Sequence, residues 1–244
     1  MNAILNIAAY HFVTVSDTAA LREGVHSQAQ ANGLKGTVLI ADEGINLVLA
    51  GPEAAAREFM SVLLRDERFA AMVFKLSRSA RVPFRKLVVK VKREIIRMNH
   101  PAIQPQAGRA PSVDAKTLAR WLRAGVDDAG REVVTLDTRN AFEVDHGRFR
   151  GAIDWRLGRF SDFPQAVLAQ RDALAGKTVV SYCTGGIRCE KAALYLREAG
   201  IEHVLQLEGG LLRYFEDTGG EHFEGDCFVF DERVALDTGL LPTV

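Results

Sequence analysis

A run of strand-forming residues, Thr178-Val179-Val180-Ser181-Tyr182, passes directly into Cys183-Thr184-Gly185-Gly186-Ile187-Arg188. A helical stretch, Arg188 to Ala199, follows and Gly200 ends it. An apolar strand that enters a helix through two glycines is the junction of a parallel sheet, because parallel neighbours need crossover helices. The surrounding chain repeats the alternation. A helix is expected from about Asp114 to Ala124, strands at Val133–Asp137 and His203–Leu207, and a further helix after Glu208-Gly209-Gly210. Residues 114–217 therefore read as one α/β domain with a mainly parallel sheet. After Thr218 the chain turns acidic at Glu221, Glu224, Asp226, Asp231 and Glu232, and residues 218–244 are read as a tail with no assigned element.

The first third has another rhythm. Leu5–Val15 reads as extended and Asp17–Asn32 as helical, with Asp17 as N-cap and Gly33 as stop. Thr37–Ala41 and Ile45–Leu49 are separated only by Asp42-Glu43-Gly44, which is hairpin spacing. A helix from Pro52 through Leu64 and strands at Phe74–Ser77 and Lys86–Ile96 complete a βαββαβ order with room for one extra strand. That order is α+β and ferredoxin-like: two helices on one face of an antiparallel sheet, the other face open. Residues 1–98 form this domain, and 99–113, with Pro101, Pro105, Gly108 and Pro111, read as a linker.

Composition removes several function classes. No apolar run approaches the roughly twenty residues of a membrane span, and Met1-Asn2-Ala3-Ile4-Leu5-Asn6 lacks the order of a secretory signal, so a cytoplasmic location without a membrane partner is expected. Three cysteines, Cys183, Cys189 and Cys227, do not make a disulfide framework, and no Cys/His spacing suggests a metal site. The 31 basic and 31 acidic residues cancel. Their distribution is uneven: Lys75, Arg78, Arg81, Arg85, Lys86, Lys90, Lys92, Arg93 and Arg97 face the single acid Glu94 between positions 75 and 97. Lys86, Lys90 and Lys92 share one face of a strand, where Arg85 and Arg93 extend the charge. Such a strip suits phosphate contacts of nucleic acid, or equally a strand edge guarded against aggregation.

The cysteine loop carries the chemistry. Backbone N–H groups and the positive end of the following helix converge on Cys183, with the Arg188 guanidinium near, so the thiol pKa should fall and the sulfur should be a nucleophile. Gly185 and Gly186 let the backbone of Thr184 to Ile187 curl around it. Cys189 is either a resolving thiol or second sulfur carrier, or a helix-packing residue. Cys227 is read as structural or incidentally exposed. Asp137 and Arg139 position the loop or substrate, or form a structural ion pair, the latter slightly favoured.

Loop length separates two resemblances. Cysteine phosphatases place one more residue between cysteine and arginine, whereas the spacing here resembles the rhodanese sulfurtransferases, which carry a cysteine persulfide. Asp137-Thr138-Arg139, Glu143, His146 and Gly151-Ala152-Ile153 resemble the rhodanese segments that face the cysteine. Over the whole chain, Gly36-Thr37-Val38, Glu43-Gly44-Ile45-Asn46, the run Pro83 to Ile95 and the run Cys183 to Ala192 resemble the bacterial tRNA uridine hydroxylase family. That resemblance implies an acylphosphatase-like first domain that binds tRNA and oxygen-dependent conversion of the wobble uridine to 5-hydroxyuridine. It also implies a persulfide at Cys183. No organic cofactor or metal site is read from the residues, so O2 and an external reductant are the expected co-substrates. Plain sulfur transfer from a sulfur donor is the alternative activity.

Overall fold

The computed structural model describes residues 4–243 and divides after Arg97 into two compact units. In the first, β1 (Ile4–Phe12), α1 (Thr18–Ala31), β2 (Lys35–Ala41), β3 (Gly44–Pro52), α2 (Glu53–Leu63), β4 (Lys75–Ser79) and β5 (Leu87–Val91) build one sheet of order β4-β1-β3-β2-β5. Period-two alternation sends Leu5, Ile7, Val38, Ile40, Ile45, Leu47 and Val89 to one face, where Val25, Ala29, Ala56 and Phe59 of the helices cover them. The first four strands pair antiparallel, but β5 runs parallel to β2, so the sheet is mixed rather than wholly antiparallel.

The motif around the hairpin has a local reason. Gly36 (φ 134°) lies where a Cβ would sit 2.1 Å from the Val48 carbonyl, and Gly44 (φ 144°) where it would sit 2.0 Å from the His11 carbonyl. Glu43 Oε1 accepts from the Ile95 N–H at 2.7 Å while Asn46 Nδ2 donates to the Ile95 carbonyl at 3.2 Å. The chain after β5 is thereby strapped over Asn46, on the face expected to be open. Asp17 makes no side-chain cap; its carboxylate pairs with Arg68, a partner of distant sequence that outcompetes the local helix N–H groups.

The basic strip is not one strip. β4 and β5 are opposite edges of the sheet, so three strands separate Lys75 and Arg78 from Lys86, Lys90 and Lys92. Arg78 pairs with Glu53 at 3.1 Å, and the Lys75 ammonium lies 5.8 Å from the Tyr10 ring centre. Arg85, Lys86, Lys90, Lys92 and Arg93 remain together at the β5 edge, all exposed.

The second unit contains β6 (Ser112–Val113), α3 (Ala115–Ala124), β7 (Val133–Asp137), α4 (Ala141–Val144), β8 (Gly147–Phe149), β9 (Ile153–Asp154), α5 (Phe163–Gln170) and β10 (Thr178–Tyr182). It continues through α6 (Ile187–Glu198), β11 (Val204–Leu207), α7 (Gly210–Thr218), β12 (Phe223–Gly225), β13 (Cys227–Phe228) and β14 (Ala235–Leu236). Strands β6-β11-β10-β7-β9 pair in parallel throughout, with β10 central and buried along its length. Asp114 caps α3 by accepting from Thr117 N at 3.0 Å, and Gly125 closes it with φ 75°.

Two segments differ from expectation. Residues 99–113, read as a linker, group with the second unit: Ile103 and Ala110 are buried, and the Pro111 carbonyl accepts from Gln206 N at 3.0 Å to start the edge strand β6. Pro111 suits the start of a sheet edge, where a missing N–H leaves no ladder bond unmade, and Pro105 opens a single helical turn, Pro105–Ala107. The tail is also structured. β12 pairs with β8 and β13 with β14, and Cys227 is fully buried rather than exposed. Among the described residues no helix is long and apolar enough to cross a membrane.

Candidate active site

The parallel register sets Asp137 beside Tyr182, so the carboxyl ends of β7 and β10 release their chains at the same point. In open parallel sheets this end is where reactive groups collect. Cys183 begins the loop there. Its Sγ accepts from the Gly186 N–H at 3.1 Å, and Gly186 takes φ 98° as the residue preceding α6. The helix thus presents its free N–H groups to the sulfur. Cys183 itself is 1% exposed.

A second element seals the loop. Leu211 N donates to the Cys183 carbonyl at 3.0 Å and Leu212 N to the Thr184 carbonyl at 3.1 Å. This approach requires Gly210 (φ 66°), where a Cβ would lie 2.5 Å from the Cys183 carbonyl oxygen and 2.7 Å from Gly186 N. The sequence marks this run only as the approach to a helix; the paired glycines Gly209-Gly210 are the signal of a close backbone approach, and both take positive φ (73° and 66°).

Arg188 is held, not free. Its two terminal nitrogens donate to the two oxygens of Glu143 at 2.7 Å each, and both side chains are buried. Glu143 is fixed in turn at the start of α4, where its carboxylate accepts from Asn140 N at 3.0 Å and its own N–H donates to the Asn140 carbonyl at 2.9 Å. The Asn140-x-x-Glu143 spacing was legible in the sequence, although its reach to Arg188 was not. With its terminal nitrogens engaged by Glu143, Arg188 acts on the sulfur through its charge and its backbone N–H.

The sulfur's ionisation follows. Burial pushes the Cys183 thiol up, but a hydrogen bond from Cys189, the Arg188 charge and the N–H groups of Arg188 and Gly186 outweigh it and bring the pKa to about 6. Cys189 is fully buried against that sulfur, with Thr138 Oγ1 at 3.8 Å. Burial, together with the hydrogen bond to Cys183 and its charge, holds the Cys189 thiol well above its ordinary range. At neutral pH the pair is a Cys183 thiolate accepting from a Cys189 thiol. Of the two readings of Cys189, its sulfur faces the loop while remaining packed in the core.

Asp137 and Arg139 form a fully buried pair, 2.6 Å at the closest, and Arg139 Nη2 also donates to the Gly147 carbonyl at 2.6 Å. They tie β7 to the strand after α4. Burial pushes the Cys227 thiol up to about 12, which leaves it protonated. Two clefts, one lined by Lys177, Gly200 and His203 and one by Trp121, Asp127 and Arg197, sit near the amino ends of β10 and β11.

A model of the UPF0176 acylphosphatase like domain matches residues 4–95, and a model of the rhodanese-like domain matches residues 118–217. A Bordetella pertussis protein called tRNA uridine(34) hydroxylase is 66% identical over 242 residues, which span 99% of each chain. The chain belongs to the tRNA uridine(34) hydroxylase family. Proteins of the same name from Variovorax paradoxus and Burkholderia ambifaria are 64% and 56% identical. They cover 97% and 98% of this chain and 90% and 86% of their own lengths. The mixed sheet of the first unit is accordingly that of an acylphosphatase-like domain, and the parallel sheet of the second that of a rhodanese domain.

Proposed function

We propose that this protein hydroxylates the wobble uridine of tRNA to 5-hydroxyuridine, with O2 and an external reductant as co-substrates and Cys183, as thiolate or persulfide, at the reaction centre. The observation that carries the reading is full-length identity of 66% to a protein named for this activity, together with a Cys183 sulfur held as an anion. The β5 edge, with Arg85, Lys86, Lys90, Lys92 and Arg93, supplies the cationic surface for the anticodon region.

Nucleoside mass spectrometry of tRNA from cells lacking the gene tests this. Wild type restores 5-hydroxyuridine and Cys183→Ser does not; restoration by Cys183→Ser would remove Cys183 from the chemistry. A second reading, sulfur transfer from a persulfide or thiosulfate donor to a thiol, is favoured by the four residues between Cys183 and Arg188. It predicts thiosulfate turnover in the purified protein and unchanged tRNA in the deletion strain.

A further inference from the structure

Three phenylalanine rings crowd the rim of the cysteine site. Phe142 lies in α4 beside Glu143, Phe228 ends β13, and Phe230 follows two residues later. Ring centres are 5.2 Å apart for Phe142 and Phe228, 6.2 Å for Phe142 and Phe230, and 5.0 Å for Phe228 and Phe230, every pair edge to face at 87–89°. Phe228 is half-buried and backs the other two, whereas Phe142 is 47% and Phe230 59% exposed. Edge-to-face packing fixes the rings yet leaves two of them open to water.

Their position relates them to the chemistry. The Arg188 guanidinium carbon lies 5.9 Å from the centre of the Phe230 ring, and this is the guanidinium whose charge stabilises the Cys183 thiolate. Thr184, the residue after Cys183, donates its hydroxyl to the Phe228 carbonyl at 3.4 Å, fastening the loop to the segment that carries the rings. Phe142 is adjacent in sequence to Glu143, the partner of Arg188. The Phe230 ring therefore stands beside the ion pair that serves the sulfur, with the Phe142 ring set edge to face against it.

We propose that Phe142 and Phe230, backed by Phe228, form an aromatic clamp that receives a pyrimidine base withdrawn from the stack of a tRNA loop and holds it at the Cys183 loop. The inference rests on the proposed function. A pyrimidine is planar and polarisable, so it gains from an aromatic face. Two exposed rings are too little surface for a stable protein partner but enough for one base. An unpaired loop base also leaves its neighbours at lower cost than one in a duplex.

The test uses the full chain. Steady-state hydroxylation of unmodified tRNA by Phe230→Ala or Phe142→Ala is expected to lose about 5- to 150-fold in kcat/KM, the range of one lost stacking contact. Phe230→Trp should recover most of the loss and Phe230→Leu, equally apolar without a π face, should not. Thiolate absorbance at 240 nm should be the same in all variants, which separates stacking from a disturbed loop. Independently of turnover, tRNA carrying 5-iodouridine at the wobble position should photocross-link to Phe230 or Phe142, as mapped by peptide mass spectrometry. Recovery by Leu, unchanged kinetics in both Ala variants, or self-association of the wild type that Phe230→Ala abolishes without affecting kcat/KM would overturn the clamp. If the wild type made no 5-hydroxyuridine, the proposed function would fall while the cross-link would still decide the clamp.

Discussion

At the scale of single residues the site is a set of charges arranged around one sulfur. The Cys183 thiolate, the Arg188 cation and the Glu143 anion are buried in sequence, each desolvated and each compensated by the next. Because the native sulfur ionises near pH 6 and an ordinary cysteine near 9.0, the unfolded chain binds more protons between those values. The stability contributed by this group is therefore complete above about pH 9 and is lost as pH falls through about 6. Absorbance at 240 nm, wild type minus Cys183→Ser, should titrate with a midpoint near 6. Replacing the ion pair by Glu143→Gln with Arg188→Met should raise that midpoint by about 1–3 units. Arg188→Met alone leaves a buried carboxylate unpaired and should cost about 3–5 kcal/mol in denaturant unfolding. The cysteine, the arginine and the glycines were readable in the sequence because they are contiguous. Thr138 and Glu143 were legible here only through the resemblance to the rhodanese segments that face the cysteine, since it is the β7–β10 register and not proximity in sequence that brings them to the loop.

At the scale of elements, α7 is as much a part of the site as α6. Gly210→Ala would place a methyl group against the Cys183 carbonyl and force a non-glycine residue to φ 66°. The backbone conformation alone costs about 1–3 kcal/mol, and each kcal/mol lowers the melting temperature by roughly 2–4 °C in a chain of this size. We expect calorimetry to show that drop and the thiolate titration to move upward as Gly186 N is displaced from the sulfur. Periodicity revealed every strand and helix of the first unit and the three central strands of the second, but not the two-residue strands β6 and β9 or the helices α4 and α5. It could not reveal which edge a strand occupies, and so nine cations between positions 75 and 97 resembled one surface when topology sends β4 and β5 to opposite sides of the sheet. The parallel placement of β5 was hidden for the same reason, being decided by pairing with β2 and not by anything within Leu87–Val91.

At the scale of the whole molecule, a reactive sulfur and a cationic edge occupy different units, so they can be disabled separately. Lys90→Glu with Lys92→Glu should weaken tRNA binding and flatten the dependence of log Kd on log salt by about 1–2, while leaving the 240 nm titration untouched. Unchanged affinity in filter binding across a salt series would remove the β5 edge from the interface. The pairing of β12 with β8 also decides where this protein can be cut. A fragment ending at 217, where the rhodanese-like match stops, would lose Cys227 from the core that contains Phe149, Tyr214 and Phe215. Each aromatic ring left facing solvent forfeits about 1.5–3 kcal/mol of burial. A rhodanese module excised for grafting onto another RNA-binding partner would have to carry its chain through Leu236, or reach the test tube as an aggregate.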